Sequence, residues 1–417
     1  MKKALKIILI IILALVVVFA VLAVVNFVIE LRMRSYVDSF APVGQADDAP
    51  ALQYDKNGDP YFISDRDLKI LQLTDVHIGG GFLSVDEDKK VINAVAAMVA
   101  EEKPDLIVVT GDISFAVPYI AGTLNNSIAH RTFMRLMENL GVYWTVTFGN
   151  HDSEAYDYFG REKVAKMYED ESLEYCLFSG DGALSGEGNH LIHIKNSRGL
   201  ITETLYMIDS HSYTDKDPLG IKWDYDYIKE DQIEWYKTAV ESAKAYNGEV
   251  FKTLTNEEKV KYAPLENPKS LIFIHIPIRE VKTAYDEYVN NGCQNTENTE
   301  CISGTIGEPE PYVYCSRTDE ALFETALELG STTAFFFGHD HYNNMILSYK
   351  GIKLSYGYSL DYLAYSGIDE VGYQRGCSVI IISSEDGTAE ITHENYYQDK
   401  YVPLYEKESV SMEPIED

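Results

Sequence analysis

Length and charge narrow the class of this protein: the chain has 417 residues, with 35 Lys and Arg against 66 Asp and Glu, and a formal net charge of −31 at pH 7. A surface this acidic repels polyanions, so we expect no nucleic-acid partner. The 31 tyrosines exclude a chain that is disordered overall, and the length suffices for one large hydrophobic core or two modest ones.

Residues 1–34 predict a membrane segment. An apolar run of 23 residues extends from Ile7 to Ile29 and is interrupted only by Asn26. A helix of that length crosses the hydrocarbon core of a bilayer. The stretch Ala20-Val21-Leu22-Ala23 resembles a signal-peptide cleavage site, although the apolar run is long for a signal peptide. We therefore predict a retained transmembrane anchor, with secretion after signal cleavage as the alternative.

Basic residues on the two sides of the apolar run predict its orientation. Lys2, Lys3 and Lys6 precede the run, and they favour a cytoplasmic N-terminus. Arg32 and Arg34 follow the run and weaken that preference. We expect the bulk of the chain to lie outside the cytoplasm.

Four further segments are predicted from composition. Residues 35–66 hold several Pro and Gly residues, and we expect a stalk. Residues 67–395 alternate strand and helix patterns and form the predicted catalytic domain. Within it, residues 280–316 are rich in Asn, Gly and Pro, which predicts a long loop insertion that shapes substrate access. Residues 396–417 form an acidic C-terminal tail that we expect to be solvated.

The five cysteines allow pairing in an extracytoplasmic protein. Cys293, Cys301 and Cys315 share the predicted loop, and we expect at least one disulfide among them. Cys176 and Cys377 are expected to be buried thiols.

Five apolar, strand-like runs in the catalytic region end in residues that can bind metals or move protons. The central run, residues 142–148, leads into Gly149-Asn150-His151-Asp152. Open α/β sheets keep their sites at the carboxyl ends of strands. Buried carboxylates are costly unless they are paired or bound to metal, so a plain core does not explain five such ends. The other four ends are Asp75-Val76-His77, Gly111-Asp112, His275 and Gly338-His339-Asp340-His341.

In this order, the five blocks resemble those of the calcineurin-like metallophosphoesterases, which are D-x-H, G-D, G-N-H-D/E, H and G-H-x-H. The resemblance covers residues 67–382 and looks closest to the small, non-purple relatives of the purple acid phosphatases. It implies an α/β fold, a four-layer α-β-β-α sandwich of two packed mixed sheets, with the metal site at strand C-terminal ends. The N-terminal transmembrane helix would precede this fold.

The resemblance also implies which residues hold two metal ions. One ion is expected at Asp75, His77, Asp112 and His341, and the other at Asp112, Asn150, His275 and His339. Asp112 would bridge the two ions. This mix of nitrogen and oxygen ligands suits Mn, Fe or Zn better than Ca. A hydroxide bridging the metals is then the implied nucleophile, and His151 is left to protonate the leaving oxygen.

Further residues are candidates for supporting the ligands or contacting substrate. Asp152 and Asp340 lie beside predicted ligands in the sequence, and we expect them to support those ligands rather than to bind metal. Arg279, Asn343 and Tyr213 are candidates for contacting phosphate.

Phe115 marks a departure from two branches of the family. Purple acid phosphatases carry a metal-binding Tyr three positions after the Asp of Gly-Asp. Protein phosphatases of the calcineurin type place there an Asp that orients the catalytic His. Phe115 can do neither, which implies a non-purple site and leaves open the residue that orients His151.

The resemblance predicts a membrane-anchored, extracytoplasmic phosphoesterase that acts on small phosphate esters. Hydrolysis of phosphomonoesters is the first expectation, and phosphodiesterase activity is an alternative that the blocks do not separate. A third hypothesis is a non-enzymatic extracellular binding domain with a vestigial metal site, although the complete ligand set argues against it. No feature of the sequence predicts an oligomeric state.

Overall fold

The computed structural model describes residues 2–46, 48–180, 182–214, 224–307, 312–318, 321–365, 367–368 and 375–410. Within these ranges the α-helices are α1 (Lys2–Val37), α2 (Val85–Glu102), α3 (Pro118–Ala121), α4 (Asn126–Leu140), α5 (Arg161–Tyr168), α6 (Glu230–Thr253), α7 (Asn256–Lys261), α8 (Arg279–Asn290) and α9 (Leu322–Leu329). The strands are β1 (Ala51–Tyr54), β2 (Pro60–Ile63), β3 (Leu68–Leu73), β4 (Leu106–Thr110), β5 (Tyr143–Thr147), β6 (His190–Lys195), β7 (Ile201–Met207), β8 (Lys269–Phe273), β9 (Thr299–Ser303), β10 (Thr332–Phe337), β11 (Ile346–Tyr349), β12 (Ile352–Tyr356), β13 (Gly376–Ile382) and β14 (Ala389–Asn395).

Local sequence explains where several of these elements begin and end. Strand β4 reads Leu-Ile-Val-Val-Thr and is buried along its whole length, as is typical of a parallel strand covered on both faces. Helix α4 ends at Leu140 and is capped by Gly141, whose φ of 71° is the left-handed conformation that commonly terminates helices. Helix α2 ends at Glu102 and is capped by Lys103, just before Pro104, because proline cannot continue the helix.

The strands form two mixed sheets. A five-stranded sheet has the order β14-β13-β3-β4-β5, in which β3, β4 and β5 are parallel and β13 is antiparallel to β3. A nine-stranded sheet has the order β1-β2-β6-β7-β8-β10-β12-β11-β9, in which β7, β8, β10 and β12 are parallel. The remaining pairs at its two ends are antiparallel, except that β2 runs parallel to β6.

The two sheets pack face to face through a buried apolar layer. Ile70 and Val108 of the smaller sheet share this layer with Leu205, Phe273 and Phe336 of the larger one. A second apolar cluster joins α2 and α4 to the outer face of the smaller sheet, and a third joins α6 and α9 to the larger sheet. The predicted α-β-β-α sandwich of two mixed sheets is therefore confirmed.

The prediction of a stalk at residues 35–66 is wrong. Strands β1 and β2 form a hairpin at the edge of the nine-stranded sheet. Gly58 has a φ of 93° in the turn, and Pro60 begins β2, a position in which proline costs no ladder hydrogen bond. Phe62 is fully buried in the layer between the sheets. The Pro and Gly residues therefore mark a turn and a strand start instead of a linker.

The prediction of a long loop at residues 280–316 is wrong over two stretches. Helix α8 buries Val281 and Ala284, and β9 pairs with β11 at the edge of the larger sheet. The run of Asn and Gly residues that suggested a loop begins where α8 ends. Residues 308–311 lie outside the described residues. The expected disulfide is not formed: all five cysteines lie within the described residues, and none of them is joined to another.

Residues 396–410 of the C-terminal segment are not the solvated tail that we expected. Tyr396 and Tyr401 are almost fully buried. The Lys407 ammonium group donates to three backbone carbonyls of this segment, each at 2.9 Å. Tyr405 stacks on Tyr36 with 4.6 Å between ring centroids. Aromatic packing therefore outweighs the acidic composition here, and residues 411–417 lie outside the described part.

Helix α1 is the one described helix that is long and apolar enough to cross a membrane by length and composition. Its most apolar stretch has a mean hydropathy of 3.7 and buries nothing within the fold. The C-terminal turns of the same helix pack on α4, where Met33 and Val37 join the core. The Arg135 guanidinium group forms two bonds of 2.7 Å with the Asp38 carboxylate just beyond the helix.

Candidate metal centre

The predicted metal-binding blocks all follow the carboxyl ends of parallel strands. Asp75, Asp112 and Asn150 follow β3, β4 and β5 in the smaller sheet, whereas His275 and His339 follow β8 and β10 in the larger one. The two sets meet across the sandwich, because the His339 backbone N–H donates to Asp75 Oδ1 at 3.0 Å. The site therefore lies where the ends of the two sheets come together.

The backbone at this edge is held in an uncommon conformation. Four of the predicted ligands have left-handed φ values, 51° for Asp75, 50° for His77, 51° for Asp112 and 77° for His339. Residues other than glycine rarely adopt this conformation, and it persists only where the surroundings hold it. A Cβ atom on Gly149 would overlap the Asp112 carboxylate, so this glycine is needed for the close approach of two loops.

The first group of possible ligands is Asp75, His77, Asp112 and His341. One ligand atom from each lies within 4.8 Å of the others, and all four side chains are buried. His77 Nε2 is 3.2 Å from Asp112 Oδ2, and His341 Nε2 is 3.6 Å from Asp75 Oδ1. Two carboxylates and two imidazoles converging on one point match the donor set expected for a transition-metal ion.

The second group shares Asp112 with the first and adds His275 and His339, again with ligand atoms within 4.8 Å of one another. His275 Nε2 lies 3.1 Å from Asp112 Oδ2. Asn150 Oδ1 and His339 Nε2 are buried and have no hydrogen-bond partner among the described residues. Leaving such atoms unpaired is costly, so the group fits a bound cation.

The protein fixes the orientation of the imidazoles from behind. His275 Nδ1 is 2.7 Å from the Thr110 carbonyl oxygen, which turns Nε2 towards the site. His341 Nδ1 is 3.0 Å from Asp361 Oδ2, and His77 Nδ1 is 3.7 Å from Asp361 Oδ1. Carboxylates in this position orient metal-binding histidines and raise their basicity. Sequence reasoning missed Asp361, which follows β12.

The ionisable side chains at the centre shift one another's pKa values. Burial opposes ionisation of Asp112, but the neighbouring His275 and His151 hold its pKa well below the usual range. Burial alone would lower the pKa of His341, but Asp75 and Asp361 raise it to about 9. The site thus favours carboxylates next to positive charge, which is the environment that bound cations also provide.

His151 lies beside the two groups of possible ligands. Its Nδ1 is 2.8 Å from Glu154 Oε1, and its backbone N–H donates to Asp112 Oδ1 at 2.7 Å. The imidazole meets the ring of Phe115 edge to face at 5.0 Å, and Phe115 itself stacks on His77 at 4.9 Å. Glu154, which the sequence analysis did not select, is therefore the carboxylate next to the His151 imidazole.

Asp152 supports the centre without facing it. Its carboxylate accepts backbone N–H bonds from Asp112, Ile113, Ser114 and Gly149 at 2.8 to 3.1 Å. It therefore clamps the loop after β4 to the loop after β5. Arg161, another residue that sequence reasoning missed, donates to the Gly149 carbonyl oxygen at 2.8 Å and so holds the same loop.

The other candidates lie in the surrounding loops. Asp340 Oδ2 accepts hydrogen bonds from the Tyr356 hydroxyl at 2.5 Å and from the Tyr314 backbone N–H at 3.3 Å. Asn343 Oδ1 accepts the Gly307 N–H at 3.0 Å, so these two residues tie down the segment after β9. Arg279 begins α8 and is exposed, whereas the Tyr213 hydroxyl accepts a 3.0 Å hydrogen bond from Asn150.

The chain is similar in sequence and in fold to several known proteins. The Probable inactive purple acid phosphatases 28 and 29 of Arabidopsis thaliana are each 25% identical to this chain. The first aligns over 73% of each protein, and the second over 77% of this chain and 78% of its own length. A crystal structure of a dimetal phosphatase from Danio rerio covers 79% of this chain and 99% of its own, at 12% identity and a TM-score of 0.47.

A family comparison covers the region that holds the site. The model of the calcineurin-like phosphoesterase family matches residues 68–343, which is more than half of the chain and includes every block described above. The chain therefore belongs to the calcineurin-like phosphoesterase family.

Proposed function

We propose that this protein is a membrane-anchored, dinuclear metal-dependent phosphoesterase that hydrolyses phosphomonoesters outside the cytoplasm. The observation that carries the proposal is the pair of groups of possible ligands that share Asp112, with Asn150 Oδ1 and His339 Nε2 buried and left without a hydrogen-bond partner in the described part of the chain. An intact donor set of this kind has no evident use in a binding domain that lacks chemistry.

The residues divide between two metal positions. Asp75, His77, Asp112 and His341 would hold one ion, and Asp112, Asn150, His275 and His339 would hold the other. The donor types suit Mn, Fe or Zn. The chemistry that such a pair supplies is neutralisation of phosphoryl charge and activation of water at neutral pH.

His151 is the proposed general acid. Its Nδ1 faces the Glu154 carboxylate, which leaves Nε2 to give a proton to the leaving oxygen. Glu154 stabilises the protonated imidazole and holds its orientation, and the Asp112 carboxylate fixes the backbone of the same residue. Phe115 covers one side of the ring and limits the access of water.

Two alternatives stay open to experiment. A phosphodiesterase would use the same centre, and the relatives from Arabidopsis thaliana carry names that describe them as probably inactive. In this chain, each predicted ligand residue is present, which favours an enzyme over a vestigial site.

Turnover of two chromogenic substrates discriminates among these functions. The full chain, purified in detergent and loaded with Mn, Zn or Fe, is assayed with p-nitrophenyl phosphate and with bis(p-nitrophenyl) phosphate, and Asp112→Ala is the inactive control. Faster hydrolysis of the monoester supports the proposal, and faster hydrolysis of the diester supports the phosphodiesterase. A protein that binds two metals and hydrolyses neither substrate would be a binding domain.

The membrane orientation has its own experiment. The basic residues before the apolar run favour a cytoplasmic N-terminus, and the continuous helix α1 would carry the domain to the other side. Protease added to intact cells should then cleave the catalytic domain, and complete protection would contradict the proposed location.

A further inference from the structure

The anchor helix contacts the catalytic domain within the apolar run itself. Asn26 Oδ1 accepts the Phe82 backbone N–H at 3.1 Å, and Asn26 Nδ2 donates to the Gly122 carbonyl oxygen at 3.2 Å. One turn further on, Glu30 Oε1 lies 3.1 Å from Arg131 Nε of α4. The single polar residue of the run thus docks onto two loops of the domain, and no flexible stalk separates the domain from the membrane segment.

An apolar groove of about 750 Å³ lies between α1 and these loops. The wall on the helix includes Phe19, Ala23 and Phe27, and the wall on the domain includes Phe82, Leu124 and Tyr158. Phe19 and Tyr158 are each 68% exposed, and Leu124 is 45% exposed. Large apolar side chains that stay exposed together mark a surface for another apolar partner.

The depth of the groove identifies that partner as the interior of a bilayer. From Phe19 to Ile29, the end of the apolar run, the helix rises about 15 Å. This is about half the ~30 Å hydrocarbon core, so the groove lies at the depth of the acyl chains of one leaflet. The net charge of −31 gives the domain no general electrostatic attraction to anionic membranes, so the contact with lipid is apolar.

The groove and the metal centre are built from the same loops. Pro118, which lines the groove, follows three residues after Phe115, whose ring lies 5.0 Å from that of His151. Three residues span at most about 11 Å, and the Phe115 ring lies about 4 Å from its own Cα atom, so the groove lies within roughly 20 Å of the proposed general acid. Tyr158 similarly follows Glu154 within one short loop. An extended hexadecyl chain is long enough to bridge this distance.

We propose that the substrates are long-chain phosphate esters of the membrane, whose phosphate reaches the metal centre while the hydrocarbon chain occupies this groove. The inference rests on the proposed phosphoesterase function and adds the class of substrate. The bilayer supplies the substrate by lateral diffusion, and the docked helix forms one wall of its binding site.

The test compares chain lengths in two tryptophan variants of α1. Ala23→Trp fills the groove, whereas Val21→Trp makes the same change on the same helix at a residue that is 55% exposed and outside the groove lining. The full chain in detergent micelles is assayed for release of phosphate from butyl phosphate and hexadecyl phosphate, and for hydrolysis of p-nitrophenyl phosphate.

In the wild type we expect kcat/KM for hexadecyl phosphate to exceed that for butyl phosphate about tenfold or more. Burial of a few additional methylene groups in the groove stabilises the bound ester enough to produce a ratio of this size. Ala23→Trp should remove this preference, whereas Val21→Trp should retain both the preference and the p-nitrophenyl phosphate hydrolysis of the wild type. A preference that is absent in the wild type, or equal in both variants, overturns the inference.

A second measurement separates this inference from the proposed function. A hexadecyl phosphate that carries a photoactivatable diazirine on its chain should label peptides that contain Leu124 or Tyr158, and Ala23→Trp should abolish the labelling. Metal-loaded protein that is labelled but hydrolyses no ester would contradict the proposed function alone. Protein that hydrolyses p-nitrophenyl phosphate but is labelled elsewhere, or equally in Ala23→Trp, would contradict the groove alone.

Discussion

His151 Nδ1 lies 2.8 Å from Glu154 Oε1, within the short turn that follows β5. The relationship supplies the orienting carboxylate that Phe115 cannot provide. The Tyr213 hydroxyl donates to the same Glu154 oxygen at 3.3 Å and accepts from Asn150 at 3.0 Å. The proposed acid is therefore connected, through one carboxylate and one hydroxyl group, to a predicted metal ligand.

Replacing Glu154 by Gln should impair protonation of the leaving group while keeping the shape of the side chain. We expect kcat for an alkyl phosphate to fall about 10- to 100-fold, because a general acid contributes about 10² to 10⁴ and only its support is lost. Hydrolysis of p-nitrophenyl phosphate should change less, and two metals should remain bound. The measurements are kcat and KM for both substrates across pH, with the exposed Glu162→Gln as matched control. Equal losses for both substrates would assign Glu154 a structural role.

His151→Ala should show the same selectivity in a stronger form. The variant lacks the acid itself, so an alkyl phosphate should lose about 10² to 10⁴ in kcat. A nitrophenolate leaves without protonation, and its rate should therefore fall much less. The measurement is the rate for a series of esters whose leaving groups differ in pKa. The rate of the variant should depend more steeply on the leaving-group pKa than the rate of the wild type. An unchanged dependence would mean that His151 only positions the substrate.

The convergence of Asp75, Asp112 and His275 could be predicted because local sequence determines where each of them lies. Asp75, Asp112 and His275 each follow a short apolar run directly, and parallel strands bring such ends to one edge of the sandwich. Asp361 and Glu154 carry no comparable local signal. Asp361 reaches His341 because β12 pairs with β10, which brings together the segments that follow these two strands. A polar residue soon after a strand next to β10 is the signal that could have identified it.

The errors at the margins of the domain have a different cause. Pro60 and Gly58 were interpreted as linker residues, although the alternation of buried and half-buried residues in Pro60–Ile63 is that of a strand at a sheet surface. The acidic tail was judged by its charge, yet its tyrosines determine where it lies. Composition predicts solvation poorly where a few aromatic side chains can be buried.

Asp112→Ala should remove both metals, whereas His77→Ala should mainly affect one. Asp112 belongs to both groups of ligand atoms, and His77 belongs to one of them. We expect metal content per chain, measured by plasma mass spectrometry after dialysis, to fall from about two to about zero in Asp112→Ala and to about one in His77→Ala. Asp112→Ala should lose turnover together with its metals. Two metals retained in Asp112→Ala would disprove the shared ligand.

Asp361→Asn tests the support of the histidines separately from the ligands. The change keeps the shape of the side chain but removes the charge opposite His341 Nδ1 and near His77 Nδ1. The ion held by these two histidines should bind about 10- to 100-fold more weakly, while the ion at His275 should be retained. Titration of Asp361→Asn with a chelator should therefore remove the two ions in two separate steps. The control Asp170→Asn, at an exposed residue, should behave like the wild type. Parallel loss of both ions would contradict this selectivity.

The last prediction concerns stability and its dependence on pH. Glu203 in β7 is fully buried, and neither of its carboxylate oxygens has a well-formed hydrogen bond within the described ranges. Burial raises its pKa well above the ordinary value, with Lys269 opposing the shift. A carboxyl group whose pKa is raised on folding contributes its stability below its unfolded pKa, near 4.3, and loses it as pH rises towards the folded value.

Glu203→Gln keeps the neutral form at every pH, so its thermal midpoint should match the wild type near pH 4.5 and exceed it near pH 8. The expected gain is on the order of 1.4 kcal/mol for each pH unit between the unfolded pKa and the working pH, up to the folded pKa. Melting of both proteins in the same detergent, with the same metals bound, measures the difference, so that titration of the histidine ligands cancels. A variant that is less stable than the wild type at pH 8 would show that Glu203 is ionised and paired in the folded protein.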